Sequence, residues 1–356
     1  MEKKNKKLTD KLYLETKNIT QSCVVNGNSV YYVLNDCGVL VCYEKDKDDI
    51  RLFSCGADYR KTRGLWVERL LFHNGDLVGI DQNGERIVHF DVTNRKVDII
   101  PISSSKKPWG NYALIEQVDK NIYCFTKEDG KVVAYDCDSK QVKMDVLNVG
   151  RENCGCRSND QVFFWDQENN DLVMYDLRSR TIQTKEISYS DSNCKHMIVD
   201  DCTIYLLSDS SLLAINLLTG NVIKDYQFDH CAECSLFFLT KDTLILLPGK
   251  GTDIYIIDKI SGAKRTLDNY PDDFCYFEEY KNGGAKYVKG YGEDDRYYYL
   301  PPRASDYFVI ISKLDGQFEW IKKPEITDNM ELNYLLGIGN GIISEKKSLQ
   351  WFINAL

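Results

Sequence analysis

Two short stretches carry the residue types from which a zinc site is built. "HCAEC" (230–234) and "CKH" (194–196) bring His230, Cys231, Cys234, Cys194 and His196 into two segments, and thiolate with imidazole is a tetrahedral donor set. The same residues suit a crowded apolar wall, because cysteine is among the side chains most often buried. Packing is the reading adopted: no metal and no cofactor is assigned. "PGKGTD" (248–253) has the Gly-Lys-Gly-Thr flavour of a phosphate loop but lacks the first glycine, and no helix follows to supply a dipole. It reads as a turn whose Lys250 can touch an anion. Acidic residues gather in "DNYPDDFCYFEEYKNGG" (268–284): Asp272, Asp273, Glu278 and Glu279 are the type that does acid/base work on glycans. That chemistry needs a matched pair about 5–9.5 Å apart. No Gly-x-Ser-x-Gly or His-Glu-x-x-His occurs.

These residues sit on a repeat. "AINLLTGNVIKDYQF" (214–228) reads as strand, tight turn and strand, and it returns as "YIIDKISGAKRTL" (255–267) and "VIISKLDGQFEWI" (309–321). The bulky residue that closes the first strand of this hairpin falls at Tyr43, Phe90, Tyr135, Tyr175, Ile215, Ile257, Ile311 and Phe352. The spacings are 47, 45, 40, 40, 42, 54 and 41. A period near 40–45 is that of a four-stranded propeller blade. Unit four shows the internal order: "CRSNDQ" leads into "VFFWD", then "DLVMYDL", then "TIQTKEI", which supply strands A to D. After the anchor comes Asp91, Asp136, Asp176, Asn216 or Asp258, whose side chain can accept hydrogen bonds from the turn's backbone. Four residues on, Gly220, Gly262 and Gly316 can take a positive φ where other units have Arg95, Lys140 and Arg180.

The chain therefore resembles the broad β-propeller class that includes WD-repeat, YVTN-type and quinoprotein-like propellers, in whose last two "AINLLTGNVI" and "IIDKISGAKR" have counterparts. The resemblance implies architecture only, since propellers host many functions. The fold expected is all-β, one propeller domain over residues 11–356 behind a disordered tail at 1–10. Eight blades are expected, with strand 11–19 completing the last one. A seven-bladed propeller with a stray terminal hairpin is the alternative. Strand A is innermost, so the cysteines and His196 are expected around one mouth of the channel.

The D–A loops share a face with the B–C turns. "GADYRKTRGLW" (56–66) contributes Arg60, Arg63 and Trp66, and "SSSKKPWGNY" (103–112) contributes Lys106, Lys107, Trp109 and Tyr112. The acidic insertion with Glu278 lies across from them, while Lys250, His196 and Arg303 of "PPRASD" join the same face. Basic and aromatic groups facing acidic and aromatic ones suit a zwitterionic, peptide or sugar-like ligand.

Composition bounds the partners. With Lys+Arg 45 against Asp+Glu 54 the net charge is −9, which argues against general nucleic-acid binding. No run reaches the ~18 apolar residues that a membrane span needs. The opening "MEKKNKKLTD" is charged with no apolar stretch behind it, and 13 cysteines form an odd set, so reduced thiols and a cytoplasmic protein are expected. The function expected is a non-catalytic, monomeric propeller that binds a protein or a small polar ligand. An enzyme acting on a glycan is the alternative.

Overall fold

A computed structural model describes residues 20–322, apart from 35–38, 48, 54–66, 82–85, 95, 102–111, 128–130, 147–151, 167–168, 188–192, 278–279 and 281–285. The fold is an all-β propeller of seven four-stranded antiparallel blades. In each blade four consecutive strands pair in the order A–B–C–D. Blade one runs Cys23–Asn26, Ser29–Leu34, Val39–Glu44 and Asp49–Phe53; blade two runs Val67–His73, Asp76–Asp81, Arg86–Asp91 and Lys96–Pro101. Blade three runs Tyr112–Val118, Asn121–Thr126, Lys131–Asp136 and Gln141–Val146; blade four runs Glu152–Ser158, Gln161–Asp166, Asp171–Asp176 and Ile182–Glu186. Blade five runs His196–Asp200, Thr203–Leu207, Ser211–Asn216 and Val222–Gln227. Blade six runs Cys234–Leu239, Thr243–Pro248, Tyr255–Asp258 and Lys264–Thr266; blade seven runs Gly292–Glu293, Tyr297–Leu300, Tyr307–Ser312 and Phe318–Lys322.

The hairpin that recurs in the sequence is the C–D pair of each blade, and its closure follows one chemistry. The seven anchors from Tyr43 to Ile311 are all buried. Behind them the Asx carboxylate or amide oxygen accepts backbone N–H groups of the turn. Asp136 Oδ1 takes Ser139 at 2.9 Å, Asp176 Oδ1 takes Ser179 at 2.7 Å, Asn216 Oδ1 takes Thr219 at 2.9 Å, and Asp258 Oδ1 takes Ser261 at 2.6 Å. Asp91 Oδ1 does the same for Asn94 at 2.7 Å. The residue four places on is left-handed whatever its type: φ is 76° at Gly220, 74° at Gly262 and 71° at Gly316, but also 54° at Lys140 and 58° at Arg180. These side chains are turn caps, bonded within their own hairpins.

The chain divides into two compact units. One holds residues 1–108, 288–311 and 318–356; the other holds 109–287 and 312–317. In the first, Tyr31, Val33, Leu40, Leu70, Leu77 and Phe90 pack blade one on blade two. In the second, blades three to six stack through successive clusters, such as Phe125, Phe164 and Tyr175 between blades three and four. Blades five and six share Leu207, Leu212, Phe237, Leu244 and Leu246. Each sheet has two apolar faces, which only a neighbouring blade can cover.

The expectation of eight blades is corrected to the seven-blade alternative by a contact inside the first unit. Blade seven sits directly on blade one. Ser22 and Gly290 form a parallel bridge, and Cys23 N–H donates to Gly290 O at 2.7 Å. Phe308 of blade seven lies 5.5 Å from Tyr43 and 6.3 Å from Tyr32 of blade one, with Tyr299 in the same cluster. Blade seven also has its own D strand. No room remains for a further blade between the two. The eighth unit around Phe352 and the strand at 11–19 lie outside the described residues.

Candidate functional site

In the second unit, the end of blades five and six that carries the D–A loops and B–C turns gathers charge. Residues Cys231–Glu233 form a single 3-10 turn leading into strand A of blade six. The Gly249-Lys250-Gly251 turn is clamped on it: the N–H groups of Gly249 and Lys250 donate to the Glu233 carbonyl at 2.6 and 2.9 Å. Both glycines pack closely: a Cβ at Gly249 would lie 2.8 Å from Ser235 Cβ, and one at Gly251 would meet the Glu233 side chain. The glycines thus serve close packing, and Lys250 is held out exposed between them.

Lys195 crosses from the preceding loop and closes this turn. Its ammonium donates to the carbonyls of Ala232 at 2.9 Å and Cys234 at 3.1 Å, and it pairs with Asp209 Oδ1 at 2.7 Å. That hydrogen bond, with a second from Asn193, holds the Asp209 carboxyl below the usual carboxylate range. His230 Nδ1 stands 3.5 Å from Glu233 Oε1, and its ring stacks on Tyr255 at 5.9 Å. Lys286 is buried, with Nζ 3.4 Å from the carbonyl oxygens of both Gly249 and Lys250 and 5.4 Å above the Tyr276 ring. Burial lowers the pKa of this amine. The insertion is strapped down by its own aromatics: Tyr270 packs on Phe274 at 5.0 Å, Phe274 on Tyr276 at 5.1 Å, and the Tyr276 and Tyr287 hydroxyls meet at 3.2 Å. Its Asp272 and Asp273 are exposed.

In the first unit, the same end of blades one, two and seven carries arginines. Arg303 projects from the B–C turn of blade seven, where Pro301, Pro302, Ala304 and Ser305 are buried, and its Nη1 donates to Gln21 Oε1 at 2.7 Å. Arg69, on strand A of blade two, donates from Nη1 to Tyr291 O at 3.3 Å. Ser22 lies between these anchor points and accepts Leu70 N–H at 2.8 Å.

The expected site residues are placed unevenly. Arg60, Arg63, Trp66, Lys107, Trp109 and Glu278 lie outside the described residues, as do Lys106 and Glu279. Lys250 is exposed and Arg303 half-buried at the loop end. Tyr112 is buried at the start of blade three. His196 is buried as well; its Nδ1 accepts Phe237 N–H at 3.4 Å and its ring meets Phe237 edge-on at 5.1 Å. Lys195, Asp209, Lys286 and Arg69 were not anticipated. Arg69 had a readable signal, a cationic residue within "VERLLFH", whose Leu70 and Leu71 are core residues.

The cysteines need one correction. They are expected as reduced thiols, yet Cys154 and Cys194 form a disulfide between adjacent blades, with Cα atoms 6.2 Å apart. The reason is the repeat itself: 40 residues separate the pair, which is the spacing of units four and five. Cys23, Cys156, Cys231 and Cys234 are buried free thiols, and Cys231 Sγ donates to Ser208 O at 3.5 Å. Burial pushes the thiols of Cys23 and Cys234 up to about 12, away from the thiolate that binds metal or attacks. Among the described residues no three His, Cys, Asp or Glu side chains converge on a common point suited to an ion. No helix among them is long and apolar enough to cross a membrane.

No protein-family model matches the chain, and no curated protein matches its sequence. Solved structures do. The chain is similar to the computationally designed Ika8 protein, with TM-score 0.55 and 11% identity over 88% of this chain and 92% of that one. It is similar to virginiamycin B lyase from Staphylococcus aureus, solved as an inactive variant with quinupristin, with TM-score 0.59 and 10% identity over 81% and 93%. YCF48 bound to D1 peptide gives TM-score 0.60 and 9% identity over 81% and 90%. Likeness at such identity extends to the fold alone.

Proposed function

We propose that the chain is a single-domain, monomeric propeller that binds a protein or a small polar ligand, without chemistry, on the end formed by its D–A loops and B–C turns. The observation that carries this reading is the presentation of Lys250. Its backbone is fixed by two hydrogen bonds to Glu233 and by flanking glycines packed on that residue. Its ammonium forms no ion pair among the described residues, while neighbouring Lys195 is taken up by Asp209 and two carbonyls. An exposed cation on a rigid turn, with no ion pair or hydrogen bond from its ammonium among the described residues, is a pre-organised contact for an acceptor from outside. YCF48, similar in fold, is one propeller that takes a peptide. The basic-aromatic loops with Arg63, Trp66 and Trp109 are assigned to this end.

The test is affinity capture with the full chain as bait, comparing Lys250→Glu, Trp66→Ala and Trp109→Ala at unchanged melting temperature. Loss of shared partners by the variants is expected, about 1–3 kcal/mol of affinity per anchor. Variants that keep every partner would refute the binding end. We place the protein in the cytoplasm on its many buried free thiols. A Cys154–Cys194 bond already present in freshly alkylated cells would overturn that placement.

A further inference from the structure

We propose that Arg69 and Arg303 form an oxyanion site in the first unit, at the junction of blades one, two and seven, that takes a carboxylate or phosphate group of a ligand. It rests on the reading of the loop end as the binding end.

The argument starts from what these guanidiniums lack. The protein carries more acids than bases, 54 against 45, so a half-buried arginine has carboxylates to choose from. Among the described residues the other half-buried arginines find one: Arg86 pairs with Asp81 at 3.1 Å, and Arg157 lies 3.9 Å from Glu116. Arg69 and Arg303 do not. Each has one hydrogen bond, to a neutral acceptor: a backbone carbonyl for Arg69 and an amide oxygen for Arg303. The Nε atom of each is buried without an acceptor. A guanidinium has five N–H donors in a planar fork, so most of the donor capacity of both groups is unspent. Buried donors left unmade are costly, and they persist in folded proteins mainly where something else completes them.

Geometry gathers the two groups. Gln21, which holds Arg303, and Tyr291, whose carbonyl holds Arg69, flank the Ser22–Gly290 bridge. Gln21 precedes Ser22 and Tyr291 follows Gly290 on the two segments that the bridge joins, so both guanidiniums are anchored at one junction. Both supports are stiff: Arg69 is on a strand inside a four-stranded sheet, and Arg303 follows two buried prolines. Two forks anchored at one junction, each with donors unspent, offer the planar recognition of carboxylate or phosphate at which arginine excels.

The test uses the full chain, with succinate and inorganic phosphate as separate probes against chloride at equal ionic strength. Calorimetric titration is the primary readout, and the anion-dependent rise in melting temperature is the second. Binding of at least one probe is expected, weakened tenfold or more in Arg69→Gln and in Arg303→Gln. Arg303→Lys, which keeps the charge and loses the fork, should also bind weakly. Preference for succinate assigns a carboxylate ligand, and preference for phosphate a phosphorylated one. If the arginines only brace the blades, the glutamine variants will melt earlier while anion binding is absent or equal in all proteins, which overturns the site. Partner loss in Lys250→Glu alongside such a result would leave the binding end standing and remove only this inference. Anion binding with partner capture intact in every loop variant would do the reverse.

Discussion

Removing the Cys154–Cys194 bond should cost a calculable amount. The bond closes a chain segment of 40 residues. Loop-closure entropy for that length is about 13 cal/mol/K, so the crosslink contributes about 4 kcal/mol at 25 °C by constraining the unfolded chain. For a chain of 356 residues the unfolding entropy is about 750 cal/mol/K, which converts the loss to about 5 °C in melting temperature. Both sulfurs are buried in a cluster with Phe163, Trp165 and Leu206, so Cys154→Ala with Cys194→Ala adds a small packing loss. Reduction of the unmutated protein does not, and it is the cleaner comparison. Calorimetry of oxidised, reduced and doubly substituted protein should give the oxidised form the highest melting temperature. Alkylation after denaturation should count two fewer free thiols in it. Equal melting of the oxidised and reduced forms, with the thiol count confirming that the bond had been present, would refute the entropic account.

Three further outcomes follow from the repeat. Lys140→Gly and Arg180→Gly should each raise stability by about 1 kcal/mol in urea unfolding, because φ of 54° and 58° is strained for any residue with a Cβ. Gly290→Ala should lower it by about 2 kcal/mol or more, since the new Cβ would lie 2.5 Å from the Gln21 carbonyl oxygen, where blade one meets blade seven. Asp136 is held down to about 2 by the Ser139 N–H and by Lys120. Its contribution is present above the unfolded carboxyl value, about 3.9, and is lost as pH falls from about 4 through 2. The urea midpoint of Asp136→Asn should therefore fall less over that window than that of the parent protein.

The blades were legible because their signal is local. An anchor, an Asx cap and a left-handed residue lie within six positions of one another, and each acts through backbone within its own hairpin. Strand alternation and turn chemistry agree there with the fold, so reading either leads to the same boundaries. The blade count was less legible. Which sheet covers blade one is decided by contacts such as Tyr43 with Phe308, 265 positions apart in the chain (308 − 43). A C-terminal segment with an apolar pattern looks like a further blade whether or not the stack has room for it.

At the loop end residue type was legible and its satisfaction was not, for a related reason. Residue type announces a cation or an aromatic ring; it does not announce whether that group is already satisfied. Lys195 and Lys250 read alike in sequence, yet one is spent on Asp209 and the Cys231–Glu233 turn while the other stands free of ion pairs among the described residues. Arg86 and Arg69 differ in the same way, one opposite Asp81 and the other against a carbonyl. His196 makes the contrast from the other side: a polar side chain in a cysteine-rich segment, it faces Phe237 between two blades. Ligand-binding capacity on a propeller is therefore a matter of remainder. Each loop brings charges from its own blade, the neighbours consume some of them, and the groups left over are those a partner can use. In the first unit that remainder is Arg69 with Arg303, whose neutral anchors, Gln21 and the Tyr291 carbonyl, orient the guanidiniums without neutralising them.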